Sequence, residues 1–261
     1  MILECCATDF ILLRKFRTHL PPNKFKAQQI LAGKASSGKG GATPPSPFLA
    51  AMASLEALSK YNRIINNVYA MDNLFRLICY SCALYISHSS KSPFTDWLAD
   101  LKARLSETRV INRLLVGLPA SIEGYLAYGD ATTVEAILGR LMAFSMILYH
   151  PIEHVWWAST LKPVLVHIDG NKWSQWTCRC WVVYVVCDLI GTLRRLGQIE
   201  NDTKHAKERR NLLIWLTCIA ADAPLAIQWS VDHGPFSDSL LNWAGWYGGL
   251  AGLYLRWLKL G

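Results

Sequence analysis

Charge is scarce in this chain, strict alternation of apolar and polar residues is scarcer, and no cysteine spacing builds a disulfide framework. Charged residues are 18% of the sequence, against roughly 25% in a typical soluble domain, while apolar types reach 52%. With a positive mean hydropathy and 11 Trp, that shortfall excludes a disordered or collagen-like chain and points to membrane association. The rarity of period-two runs argues against a β-sandwich or barrel and for an all-α fold. The eight cysteines fall at Cys5-Cys6, Cys79, Cys82, Cys178, Cys180, Cys187 and Cys218, mostly inside apolar segments, where they act as small hydrophobes. Cys79-x-x-Cys82 is therefore a helix-face spacing before it is a redox or zinc motif, and Cys5-Cys6 near the terminus is a candidate for acylation. No Gly-x-Ser-x-Gly elbow is present.

Net charge is +8, but it is unevenly spread, and residues 1–50 hold seven Lys/Arg against two acids. Lys24, Lys26, Lys34 and Lys39 lie among Pro, Gly and Ser rather than on a folded face, which excludes a nucleic-acid binder of the usual kind. Residues 1–50 read as a flexible basic tail, and residues 51–260 as one helical domain, amphipathic over 51–135 and more hydrophobic over 136–260. In the tail the apolar Ile11-Leu12-Leu13 precedes Arg14, Lys15 and Arg17, the reverse of a secretory signal. A mitochondrial presequence is disfavoured by Glu4 and Asp9. Gly33 to Gly38-Lys39 has phosphate-loop spacing, but Gly40 stands where Ser or Thr would ligate magnesium, and no strand precedes it.

From Ala51 onward apolar residues recur every three or four positions, which predicts a first long helix from Leu55 to about Tyr85 with Lys60, Arg63, Asn66, Asn67 and Asn73 on its wet face. It ends before Pro93, where Ser92 or Thr95 can cap a second helix whose first turn suits Pro93. On a wheel at 100° per residue, Phe94, Trp97, Leu98, Leu101 and Leu105 fall within about 100° of arc. Lys102, Arg104, Arg109 and Arg113 form the basic flank of that face, and Asp96, Asp100 and Glu107 lie on the other side. Such a helix can lie in the headgroup region with its apolar face inserted, expanding one leaflet. The same stripe can also pack as an ordinary bundle seam, the commoner fate of amphipathic helices.

The C-terminal half reads as hydrophobic and partly membrane-spanning. Leu240 to Leu255 carries no charge and ends in Arg256-Trp257-Leu258-Lys259, a basic and aromatic interface signature, so it is expected to span. Gly245, Gly248, Gly249 and Gly252 give two overlapping G-x-x-x-G spacings suited to close helix packing. Leu212 to Trp229 is a second candidate span, in which Asp222 must face another helix or water. Trp176 to Leu193 is doubtful because it includes Arg179 and Asp188. The polar connection Gly191 to Arg210 favours the cytosolic side. One enzymatic motif stands out: His150-Pro151-Ile152-Glu153-His154 fits H-x-x-E-H, with two imidazoles on one helix face, Glu153 as base, and Asp188 or Glu200 as a third ligand. Pro151 reads there as a helix start or kink, which favours a polar helix boundary over a metal centre.

Taken together these residues resemble the peroxin-11 proteins of the peroxisomal membrane, with the gamma-like branch as a candidate. Asp72-Asn-Leu-Phe-Arg76-Leu-Ile-Cys-Tyr80 is similar to the family's "RDK-x-x-R-x-x-Q-Y" helix, with Asn73 in place of Lys and Cys79 in place of Gln. Ser106-Glu-Thr-Arg109 with Arg113, Tyr149 to Trp156, Asp222-Ala-Pro-Leu-Ala226 and the glycine-rich ending resemble the family's later motifs in the same order. The resemblance covers about residues 52–260. It implies an integral peroxisomal membrane protein, not an enzyme, with no cofactor or metal. It further implies elongation, proliferation and fission of peroxisomes through an inserted amphipathic helix and through homo-oligomers or hetero-oligomers with related members. Its partners would be membrane lipids, a fission adaptor and a dynamin-like GTPase, with no nucleic acid. A channel or small-metabolite transporter, sensitive to Asp222 or Arg179, is the alternative.

Overall fold

The computed structural model describes residues 47–161, 167–200 and 202–260. The tail expected over residues 1–50, with its Cys5-Cys6 pair and phosphate-loop decoy, lies outside them except for its last four residues, which open the first helix. Among the described residues the chain is all-helical, with α1 Pro47–Ile65, α2 Val68–His88, α3 Pro93–Leu126, α4 Val134–Ser159, α5 Gly170–Gln198, α6 Ala206–Trp229 and α7 Asp238–Leu260.

Local chemistry sets the boundaries. The single helix expected from Leu55 to Tyr85 is instead two, because the backbone turns at Asn66 and Asn67. Asn67 adopts an extended conformation and its side chain accepts the Ala70 amide at 2.9 Å, so the residue assigned to a wet face is the N-cap of α2. Asn73, also expected on the wet face, is buried. Ser92 caps α3 as anticipated, in a reciprocal pair with Thr95 and with Pro93 in the first turn. Asp169 caps α5, and the Lys172 amide it accepts holds its carboxyl below the ordinary range. Pro151 neither starts nor ends a helix, since α4 runs through it, as α3 runs through Pro119 and α6 through Pro224. Packing from neighbouring helices can hold such prolines inside a helix.

Helices α2 to α7 form a closed ring in which each packs on its neighbours in sequence and α7 returns against α2, while α1 rests outside on α2 and α7. Tyr80, Met142, Met146, Tyr149, Trp181 and Leu225 anchor the apolar part of the interior. Ring closure depends on glycine. A Cβ on Gly245 would meet the Tyr80 ring, one on Gly249 would lie 3.0 Å from the Leu77 backbone nitrogen, and one on Gly252 would press on the Asn73 amide. The four glycines thus pack against α2 of their own chain.

Among the described residues two helices are long and apolar enough to cross a membrane, α5 and α6. The stretch Trp176 to Leu193, doubtful on sequence, lies within α5, while the stretch read as the leading span lies in α7, whose many Gly, Trp and Tyr residues keep it out of that class. Arg179, the tenth residue of α5, is exposed and donates to the Ser230 carbonyl at the end of α6 at 3.1 Å. Asp188 faces inward, where Trp215 Nε1 and Thr192 Oγ1 donate to it.

Replacing Gly249 by Val should force α7 off the Leu77 backbone, which cannot yield as a side chain would, and destabilise the domain by about 1–3 kcal/mol. Denaturant titration of the micelle-solubilised full chain checks this; an unchanged midpoint would show that the α2/α7 contact is not tight.

Candidate functional site

Two clusters of charged side chains, drawn from α2, α3, α4 and α6, lie in the interior. Asp72, on α2, accepts Arg109 in a two-pronged contact, Nε to Oδ1 at 3.0 Å and Nη2 to Oδ2 at 3.1 Å, and also accepts Arg113 Nη1 at 3.2 Å. Arg113 reaches on to α4, where its Nη2 donates to Glu153 Oε1 at 2.7 Å and the Tyr149 hydroxyl donates to the same oxygen at 2.7 Å. All four charged groups are at most 4% exposed. A second cluster lies one turn further along α2, where Arg76 donates from Nη2 to Asp222 Oδ1 on α6 at 2.5 Å and from Nε to the Gly245 carbonyl on α7 at 3.1 Å. Arg76, Arg109 and Arg113 face Asp72, Glu153 and Asp222, so the two clusters together are neutral.

The geometry requires helix periodicity and a glycine. Asp72 and Arg76 are four residues apart on α2, and Arg109 and Arg113 four apart on α3, so each pair shares one helix face. Arg76 passes over α7 to reach α6, and Gly248 leaves the space: a Cβ there would be 2.7 Å from the guanidinium and 3.3 Å from Asp222. Likewise a Cβ at Gly117 would collide with the His150 ring.

The outer faces of α4, α5 and α7 are largely apolar. Val134, Ile137, Leu141, Phe144 and Leu148 of α4 are exposed at three- and four-residue steps, as are Val183, Val186, Ile190 and Leu193 of α5. The outer face of α7 carries Leu240, Trp243, Tyr247, Leu250, Tyr254 and Trp257. On these three helices, buried charge behind an apolar outer face is the inverse of a water-soluble bundle, and monomeric soluble proteins rarely expose apolar patches beyond a few hundred Å².

The residues singled out from sequence separate into several groups. Phe94 and Trp97 are 52% and 56% exposed and stack on each other with ring centroids 5.8 Å apart, with Tyr85 edge-on to Phe94. Leu98 turns inward, and Leu101 and Leu105 are half-buried. Of the basic flank, Arg104 is exposed and Lys102 half-buried. Arg109 and Arg113 are not on a flank at all: they sit inside the ring on Asp72 and Glu153 because α3 extends past its amphipathic first half into the bundle. Asp222 faces another helix, as its cost in an apolar segment demands.

The H-x-x-E-H motif does not assemble a metal centre. Both oxygens of Glu153 are taken by Arg113, and His150 and His154 stack with centroids 6.2 Å apart. Among the described residues the one group placed to share an ion is Glu200, Asp202 and His205, so Asp188 and Glu200 do not join the two histidines. Sequence reading missed Asp72, Arg76 and Glu153 as partners. Their signal was present as buried-type spacing: Asp72 and Arg76, like Arg109 and Arg113, stand in otherwise apolar helix faces.

A family model described as peroxisomal biogenesis factor 11 (PEX11) matches residues 58–257. No curated protein and no solved structure matches.

Breaking the second cluster by Asp222→Leu or by Arg76→Met should each destabilise by about 3–5 kcal/mol, since a buried charge is left unpaired, whereas the double variant should lose less than the sum. Unfolding of the four proteins in micelles reads this directly, and additive losses would mean that the two residues do not interact.

Proposed function

The chain belongs to the peroxisomal biogenesis factor 11 (PEX11) family, and from that premise we propose that it elongates and divides peroxisomes by inserting the start of α3 into one leaflet while the ring of helices anchors it. Family membership makes it a non-enzymatic protein of the peroxisomal membrane acting in peroxisome proliferation, with α5 and α6 as candidate spans. Placement in the gamma-like branch is part of the proposal and rests on the sequence resemblance.

The observation that carries the mechanism is the exposed aromatic corner of Tyr85, Phe94 and Trp97 where α2 meets α3. Aromatic rings at a helix start, flanked by exposed Lys91, suit the headgroup region, and half-buried Leu101 and Leu105 continue the stripe. The wedge is narrower than the wheel suggested because Leu98 serves the bundle. With Arg109 and Arg113 withdrawn into the interior and Asp96, Asp100 and Glu107 exposed, insertion relies on apolar contact more than on attraction to anionic lipid. Self-association, and recruitment of a fission adaptor and a dynamin-like GTPase, complete the proposed pathway. The transporter reading has less support, because Asp222 and the interior arginines are ion-paired with one another, and Arg179 caps a helix end.

Trp97→Glu changes an exposed residue and should leave folding and peroxisomal targeting intact while abolishing the elongated or more numerous peroxisomes expected on overexpression. Imaging the tagged full chain against a peroxisomal marker checks both; elongation equal to that of the unaltered chain would remove the wedge.

A further inference from the structure

Residues 191–210, which join α5 to α6, hold six Lys/Arg and three acids, and the structure sorts them. Arg194 pairs with Glu135 of α4 at 3.3 Å and Arg195 with Glu208 at 2.5 Å. Asp202 accepts the His205 amide at 2.8 Å and lies 2.8 Å from its Nδ1, and Glu200 stands in one cluster with both. Among the described residues Lys204, Lys207, Arg209 and Arg210 make no ion pair. Lys204, Lys207 and Arg210 are exposed and recur every three residues, so they line one side of the helix start, while Arg209 is half-buried. That exposed side continues at three- and four-residue steps through Leu213 and Thr217. At 1.5 Å per residue, Arg210 stands about 4.5 Å and Lys207 about 9 Å beyond Leu213 along the axis. The headgroup region is about 5–8 Å deep on each side of the hydrocarbon core. With Leu213 at the edge of that core, the three cations stand at the level of lipid phosphates, within reach of their long stems. The other end of α6 differs, since residues 230–237 contain no Lys or Arg and Asp232 there accepts Gln175 at 2.6 Å. The free cations of α6 therefore mark one leaflet.

Resting on the membrane-embedded reading above, we infer that Lys204, Lys207 and Arg210 form a docking surface for anionic phospholipid. The headgroup phosphate lies against the three cations, and the acyl chains run along Leu213 and Thr217. Lys/Arg clusters at the foot of a membrane helix attract lipids such as phosphatidylserine and the phosphoinositides. The carboxylates nearby do not compete, because Glu208 and Asp202 are already engaged by Arg195 and His205. The apolar side of α6 that adjoins the cations favours a lipid over a free anion. This surface is separate from the aromatic corner of Tyr85, Phe94 and Trp97, whose insertion relies on apolar contact.

The test titrates the labelled full chain in micelles with short-chain phosphatidylserine or phosphatidylcholine and follows binding by thermophoresis. The expected result is phosphatidylserine binding roughly tenfold tighter, a preference lost in 1 M salt, where screening acts over about 3 Å. Changing Lys204, Lys207 and Arg210 together to Gln should abolish the preference. Arg210→Gln alone should reduce it severalfold, whereas Lys172→Gln, at the start of α5, should leave it unchanged. Equal binding of the two lipids by the unaltered chain, or the same loss from Lys172→Gln as from Arg210→Gln, overturns the docking surface while leaving membrane embedding intact. Displacement of the lipid by an equal concentration of glycerophosphoserine, which has the headgroup and no acyl chains, overturns the lipid as the occupant. Release of the full chain from phosphatidylcholine vesicles by alkaline carbonate overturns the embedding and this inference together.

Discussion

Asp72 is the group on which the arrangement depends. It holds both arginines of α3 against α2, and through Arg113 it fixes Glu153 and hence α4. One turn along the same helix, Arg76 ties α2 to α6 and, through the Gly245 carbonyl, to α7. Five of the six ring helices therefore meet in two balanced ionic clusters. A buried ion pair is a poor source of net stability in water, where apolar side chains of similar volume do as well or better. Its use is specification: each arginine would be left as an uncompensated charge in any other register, so slipped arrangements are excluded more strongly than apolar packing could manage.

That constraint explains the surface. With charge enclosed and neutralised, the outer faces of α4, α5 and α7 carry almost nothing but apolar side chains, which is the pattern a lipid environment selects. It also explains the glycines, whose spacing resembles a motif for association between chains. Their place is inside the ring, where Gly248 opens the path of Arg76 and Gly245 and Gly249 let α7 lie against Tyr80 and the Leu77 backbone. They are therefore occupied within the chain and not offered to a second copy.

The all-helical class, the Ser92 cap and the apolar stretch that became α6 were legible in the sequence because each depends on residues a few positions apart. The break at Asn67 was not, since an Asn within a helical period is compatible with a wet face until its side chain is seen to take the Ala70 amide. Arg109 and Arg113 were misread for a related reason. A helical wheel reports that basic residues share a side, but whether that side meets headgroups or a carboxylate thirty-seven residues earlier is long-range information. Asp222 was the converse case, because the cost of a lone acid in an apolar segment demanded a partner even though the sequence did not name Arg76. In α5 the polar residues that obscured a candidate span are Arg179, which reaches the end of α6, and Asp188, which faces inward to Trp215 and Thr192, distinguishable only once their partners were known.

The central claim is that the ring lies in lipid with its charges enclosed. A photoreactive amino acid placed singly at Phe144, Ile190 or Leu250 of the full chain in peroxisomal membranes, with Lys204 and Lys207 as water-exposed controls, tests it by mass analysis of the adducts. Lipid adducts at the first three positions and none at the two lysines are the expected result. Adducts with water or soluble protein at Phe144, Ile190 and Leu250 would contradict the account.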